Sequence, residues 1–217
     1  MRLRITDLVM DSDLSSSELR EALGVSSNLL AHHLGVLERA GVVDRLRSEG
    51  DRRRSYVRLR PEVHRMLSWE RVRSAGDSPD SREVVFICTG NSARSPFAAA
   101  LWNRDRQQGS KGVRASSAGT HPAPQVSEKA VEVAQSFGVD LSAHTPSPVA
   151  ADQPGVETIV LCDRAYEELP PVSRTGGRRH WAVPNPGRSQ SQDAYERVFC
   201  EIAERIELIA HRTASTH

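Results

Sequence analysis

The segment Cys88-Thr89-Gly90-Asn91-Ser92-Ala93-Arg94-Ser95-Pro96 sets a thiol and a guanidinium apart by five intervening residues, directly after the apolar run Val84-Val85-Phe86-Ile87. A loop of this length between a buried strand and a helix can wrap a tetrahedral oxyanion. The backbone N–H groups of Thr89, Gly90, Asn91, Ser92, Ala93 and Arg94 would point inward, and the following helix would direct its positive end at the same spot. Arg94 can close the ring with a two-pronged grip on two oxygens. The same field favours the thiolate of Cys88, Ser95 can donate a hydrogen bond to that sulfur, and Asn91 can hold the loop in shape. A thiolate beneath a captured oxyanion is poised for in-line attack. A merely structural cysteine at a strand end would explain neither the arginine nor the glycine.

Elements that could position this loop follow it along the chain. Strands are expected near Val84–Ile87, Val113–Ser116, Thr158–Leu161 and His180–Val183, and helices near Pro96–Asn103, Ser127–Phe137 and Asp193–His211. Strand and helix alternate, which predicts a three-layer α/β unit on a four-stranded parallel sheet. In the last helix Tyr195, Val198, Phe199, Ile202, Ile206 and Ile209 share one face, and Cys200 is expected to pack there as well.

Residues 84–212 resemble the low molecular weight protein tyrosine phosphatases and the arsenate reductases that share their fold. The resemblance rests on Cys88–Ser95, on Ser117-Ala118-Gly119-Thr120, on Gly138-Val139-Asp140-Leu141-Ser142, and on Cys162-Asp163 and His180-Trp181. It implies Cys88 as nucleophile and Arg94 as oxyanion clamp, with phosphate, arsenate or a phosphorylated ligand as partner. The acid of the family stands in an Asp-Pro pair, and the matching pair here is Asn185-Pro186. An amide has no proton to give a leaving group, an assistance worth roughly 10²–10⁴-fold, so turnover is expected to be weak. Asp163 or His180 are the candidate substitutes. Cys162 resembles the first of two relay cysteines in thioredoxin-coupled arsenate reductases, but Leu169 occupies the second position. A redox partnership would then join Cys88 to Cys162 or to an external thiol. No cofactor other than such a reductant, and no metal, is expected.

The first part of the chain reads as helix, turn, helix and hairpin. Ser15-Ser16-Ser17-Glu18 offers a capping box, Gly24-Val25 a turn, and Ser26 a cap for a second helix with Leu30, Leu34 and Leu37 on one face. Gly41 is expected to end that helix in a left-handed conformation. Two strands follow, Val42–Leu46 and Tyr56–Leu59, around a turn at Glu49-Gly50-Asp51. Residues 3–60 resemble the ArsR-type winged-helix repressors, on the strength of Gly24-Val25-Ser26-Ser27, His33-Leu34 with Val36-Leu37, and Ala40-Gly41-Val42-Val43. That resemblance implies double-stranded DNA as partner. Ser26, Ser27, Asn28 and His32 would meet base edges, and Arg52, Arg53 and Arg54 at the wing tip would meet phosphates. It also implies a homodimer, although the helix that precedes the motif in the family is not seen before Met1. No cysteine precedes Cys88, which argues against thiolate metal sensing in this half, and adjacent His32 and His33 point about 100° apart on a helix.

Composition agrees with a soluble, globular, two-domain chain. Its 217 residues are 38% hydrophobic and 26% charged, with a net charge of +1. Three scattered cysteines do not make a disulfide framework and fit a reducing cytoplasm. No apolar run reaches the roughly 18 residues of a membrane span and no signal peptide is apparent. The eight arginines between residues 45 and 65 face only Glu49, Asp51 and Glu62 within that window, a local excess that suggests nucleic acid. The small polar stretch 74–82 reads as a linker, dividing a winged-helix domain over 1–73 from an α/β domain over 83–217.

Overall fold

Ser15 opens the first helix of the recognition motif as its sequence predicts: Ser15 Oγ accepts from Glu18 N at 3.3 Å and Glu18 Oε2 accepts from Ser15 N at 2.7 Å, both halves of a capping box. The computed structural model describes residues 1–74, 83–107, 114–150, 156–170, 178–189 and 191–214. Of the expected linker at 74–82 all but Ser74 lies outside them, as does the expected strand start at Val113. In the first domain the elements run α1 (Arg2–Val9), β1 (Leu14–Ser15), α2 (Ser16–Leu23), α3 (Ser27–Arg39), β2 (Val43–Arg47), β3 (Ser55–Leu59) and α4 (Pro61–Ser74). Gly24 and Gly41 take the left-handed backbone, φ 66° and 69°. Leu30, Leu34 and Leu37 are buried with Ile5, Val9, Leu19, Leu23, Val43, Val57 and Leu59 in one core. The strands form an antiparallel sheet in the order β1-β3-β2. α4 begins at Pro61, a residue suited to the first helical position, and was not expected from the hydrophobic pattern.

The second domain comprises β4 (Val84–Cys88), α5 (Arg94–Gln107), β5 (Ala115–Gly119), α6 (Glu128–Ser136), β6 (Glu157–Val160), α7 (Asp163–Glu168), β7 (Arg178–His180), a 3-10 turn at Pro186–Arg188 and α8 (Gln192–Ala214). Its sheet has the order β5-β4-β6-β7, every neighbouring pair parallel. Parallel strands deliver the loops after β4, β5, β6 and β7 to one end of the sheet, where ligand sites of such folds lie. Phe86, Phe97, Leu101, Ile159, Leu161, Ile202 and Ile206 are fully buried in its core. The last strand ends earlier than expected, at His180. Cys200 is exposed, which corrects its expected place in the packing: it sits one residue past buried Phe199, a turn of about 100° off the apolar face.

The two domains meet along the outer edge of β7. Asp13 N donates to His180 O at 2.7 Å, and His180 N donates to Ser12 Oγ at 2.9 Å. Asp13 then turns its carboxylate on Ala182 N, 2.7 Å away, and on Arg205 Nη2, 3.0 Å away. The raw edge of the parallel sheet is thereby covered. A second contact holds the hairpin loop between β2 and β3. Ser48 Oγ, Tyr56 Oη and Asp51 N all donate to the Glu167 carboxylate, at 2.8, 2.9 and 2.7 Å. A Cβ on Gly50 would run into Glu167 Oε2 and the Arg164 Cα, so only glycine lets the loop approach this closely.

Candidate functional site

Cys88 closes β4 and Arg94 opens α5, so strand and helix geometry alone bring thiol and guanidinium onto one loop. The loop's shape is fixed from behind. Asn91 adopts φ 48°, a left-handed conformation that asparagine tolerates better than most residues. Its buried side chain donates from Nδ2 to Ser95 Oγ and to Ser117 Oγ, each at 2.9 Å, while its Oδ1 accepts from Ser147 N at 2.9 Å. His144 Nε2 adds a contact at 3.3 Å, and burial lowers the pKa of that imidazole, which favours the neutral ring. Gly119 faces Thr89 O and Asn91 N so closely that a Cβ would stand 2.7 and 3.0 Å from them.

Ser95 Oγ lies 3.0 Å from Cys88 Sγ and accepts from Asn91, and its one hydrogen has two acceptors in reach, the sulfur and Ala118 O at 3.3 Å. Arg94 is buried; its Nη1 donates to Val183 O at 3.0 Å. Burial acts to lower the Arg94 pKa, but Cys162, Cys88, Glu49 and Asp163 outweigh it and hold the group above its ordinary value. A fixed cation at the helix start beside a sulfur is what capture of a tetrahedral anion requires. Of the expected residues, Ser95 touches Cys88, Asn91 bonds Ser95 and Arg94 stands within the field of the thiol, while Thr89, Gly90, Ser92 and Ala93 lie on the loop between Cys88 and Ser95.

Cys162 joins them from the end of β6, with its Sγ 3.4 Å from Thr89 Oγ1. Burial pushes this thiol up, with the neighbouring Cys88 adding to the shift. The two substitutes expected for an acid separate. Asp163 reaches the site, but its Oδ2 accepts from Glu49 N at 2.8 Å and its Oδ1 lies 3.0 Å from His180 Nε2. His180 is buried behind it, stacked on Tyr166 at 4.3 Å and edge-on to Tyr56 at 4.4 Å. Asn185 spends its side chain locally: Oδ1 accepts from Gly187 N at 3.0 Å and caps the 3-10 turn.

Glu49 is the residue that sequence reading missed. It was read as part of a turn, yet its carboxylate lies across the domain boundary, Oε1 accepting from Asn185 N at 2.9 Å and Oε2 3.5 Å from Arg94 Nη1. Nothing in the local pattern marks it, because the contact joins residues 136 apart in the chain.

No hydrogen bond or ion pair joins Ser26, Ser27, Asn28 or His32 to this site among the described residues, whereas Arg52, Arg53 and Arg54 directly follow the Glu49–Asp51 loop that reaches it. Ser26, Ser27, Asn28 and His32 are exposed at the front of α3. Ser26 Oγ caps Leu29 N at 3.4 Å and Ser27 Oγ accepts from Arg20 at 3.1 Å. Arg52, Arg53 and Arg54 are exposed, Arg53 being paired with Asp51 at 3.0 Å. The arginine excess is smaller than the sequence window suggests: Arg45, Arg58, Arg60 and Arg65 pair with Glu38, Glu201, Asp44 and Glu204 from outside it. Among the described residues no group of three or more His, Cys, Asp or Glu could hold a metal ion, and no helix is long and apolar enough to cross a membrane.

A family model described as low molecular weight phosphotyrosine protein phosphatase matches residues 83–215, and one described as bacterial regulatory protein, arsR family, matches residues 1–45. Arsenate reductase 2 of Staphylococcus saprophyticus is 31% identical over 130 residues, covering 58% of this chain and 95% of that protein. Arsenate reductase 1 of Staphylococcus haemolyticus is 28% identical over 130 residues, covering 59% and 94%. Among solved structures, a YwlE mutant from Bacillus subtilis superposes with a TM-score of 0.52 at 24% identity, covering 60% of this chain and 97% of that one. The low molecular weight protein tyrosine phosphatase of T. tengcongensis also gives 0.52 at 24%, covering 60% and 98%. At these identities the structures establish the fold. The chain belongs to the low molecular weight phosphotyrosine protein phosphatase family, and carries in front of that domain a helix-turn-helix segment of the arsR type.

Proposed function

We propose that this protein is a DNA-binding transcriptional regulator whose second domain captures phosphate or arsenate at residues 88–95 and acts on it through Cys88. The observation that supports this reading best is Cys88 Sγ, 3.0 Å from Ser95 Oγ on the loop that the buried Arg94 closes. The sulfur attacks the central atom in line, while Arg94 and the loop amides balance the charge that develops on the oxygens. With arsenate, the Cys162 thiolate attacks Cys88 Sγ of the thiol–arsenate adduct, the S–As electron pair leaves with arsenite, and an external thiol reductant reduces the resulting Cys88–Cys162 disulfide. On the DNA side, α3 enters the major groove with Ser26, Ser27, Asn28 and His32 at its front, and Arg52, Arg53 and Arg54 meet the backbone, in a homodimer on a two-fold operator.

Occupancy of the anion site biases DNA affinity because the hairpin loop rests on the same domain that holds the anion. The test is a titration of arsenate and phosphate against operator binding, run beside turnover of 2,4-dinitrophenyl phosphate by the wild type and Cys88→Ser. The reading expects turnover to vanish in Cys88→Ser and DNA affinity to shift with anion. Turnover with an unchanged DNA affinity would instead favour an enzyme with an accessory DNA-binding domain, a reading to which the intact thiol loop lends support.

A further inference from the structure

Breaking a phosphate ester leaves an oxygen that needs a proton, and the loop at residues 88–95 has no donor for it. Asn185 offers only an amide. Asp163 is buried, its Oδ2 accepting from Glu49 N and its Oδ1 standing 3.0 Å from His180 Nε2 without a hydrogen bond of its own. His121, exposed, is paired with Glu168 at 3.1 Å. A less buried carboxyl group also stands beside Arg94, and it comes from the other domain.

Glu49 is held there on every side. Its N–H donates to Asp163 Oδ2 at 2.8 Å, its carbonyl accepts from Arg188 Nη2 at 3.2 Å, and its Oε1 accepts from Asn185 N at 2.9 Å. Oε2 points at Arg94 Nη1, 3.5 Å away, on the edge of the guanidinium that also binds Val183 O. That arrangement leaves Nε and Nη2 of Arg94 for the captured anion. Two features argue that the carboxyl group stands beside the anion rather than in its place. No backbone N–H of residues 89–94 donates to it among the described residues, whereas an anion surrogate would take those amides. Docking of the hairpin, moreover, is already served on both flanks by the three hydrogen bonds to Glu167.

We infer that Glu49 is the proton donor to the leaving group, a catalytic residue that the winged-helix domain supplies to the phosphatase-fold domain. The inference rests on the Cys88 chemistry proposed above. As Cys88 S⁻ bonds to phosphorus, the P–O bond breaks, its electron pair goes to the leaving oxygen, and the Glu49 carboxyl proton follows to that oxygen. Water then attacks the phosphocysteine, one of its protons passes to the Glu49 carboxylate, and the thiolate leaves with orthophosphate free.

The experiment is steady-state kinetics of the full-length chain and of Glu49→Gln on phenyl phosphate and 2,4-dinitrophenyl phosphate, with inhibition by orthophosphate. A dinitrophenolate leaves without a proton and a phenolate does not. Glu49→Gln should therefore lower kcat on phenyl phosphate about 10²-fold or more beyond its effect on the dinitrophenyl ester, and Glu49→Asp should restore part of the loss. Equal changes on both esters overturn the inference. So does a rise on both with tighter orthophosphate inhibition, the mark of a tethered plug. Wild-type protein with no Cys88-dependent turnover of the dinitrophenyl ester fails at the earlier step, and overturns the proposed chemistry itself.

Discussion

Tyr56, at the centre of β3 in the winged-helix domain, gives its hydroxyl hydrogen to Glu167 Oε1 of α7 at 2.9 Å. The bond is buried enough to push the tyrosine pKa up, first through desolvation and then through the facing carboxylate. Glu167 receives two further bonds from the same hairpin. Glu167→Ala strands those donors at a contact where water enters poorly, an omission worth about 1–3 kcal/mol. Urea denaturation should show that loss, and the hairpin should become open to proteolysis while α/β secondary structure persists.

Gly50→Ala is expected to undock the hairpin by steric means alone, since the added methyl meets Glu167 and Arg164. It touches no reacting group. If Glu49 is delivered by docking, this variant should lose phenyl phosphate turnover in the same direction as Glu49→Gln. A kinetic profile identical to wild type would show that the loop finds another way to seat.

Arg94→Lys keeps the charge and loses the planar fork. Loss of one well-aimed donor to developing negative charge amounts to about 10²–10³-fold in rate, so kcat/KM on dinitrophenyl phosphate should fall by at least that factor. The contact with Val183 O would go too, and weaker inhibition by orthophosphate would report the lost grip.

Asp13→Asn keeps shape but removes the charge facing Arg205, whose Nη1 and Nη2 lie 3.3 and 3.0 Å from the two carboxylate oxygens. Breaking one partner of a largely buried pair typically destabilises by about 3–5 kcal/mol. Thermal unfolding should register it as a lower Tm for the whole chain, because the aspartate also receives Ala182 N.

His64 sets an acid limit. Its Nε2 donates to Met10 O at 2.8 Å, and burial is the main cause that lowers its pKa in the folded chain. A depressed folded pKa means that the unfolded chain binds the proton first. Stability should therefore be intact above the ordinary histidine value of about 6.5 and decline as pH falls below it. His64→Gln should flatten that part of the pH profile, with denaturation midpoints between pH 7 and 5 as the measurement.

Local chemistry was legible in the chain. The capping box at Ser15, the turns at Gly24 and Gly41, the thiol loop and the fourfold strand alternation each depend on neighbours a few residues apart. What escaped depends on longer reach. α7 is six residues long, too short for its period to show, and the polar face of α4 hides a helix that rests on the other domain. β7 ends after His180 because, although Trp181 N still bonds Val160 O of β6, Ala182 N goes to Asp13 Oδ2 and Val183 N turns back to Trp181 O. Cys200 was judged by its apolar character rather than by its angular place on α8. Glu49 looked like an ordinary turn residue because its partners Arg94, Asp163 and Asn185 lie far along the chain, on a surface that only the folded second domain creates.

The hydrogen bond from Asp13 to the rim of β7 has a consequence for anyone who would work with the second half by itself. Residues 83–217 produced in isolation would display a naked row of peptide groups, flanked by the rings of Tyr166 and His180 that now lie against Tyr56. Such a border invites copies to join side by side, so the excised fragment should form larger assemblies than the full-length chain.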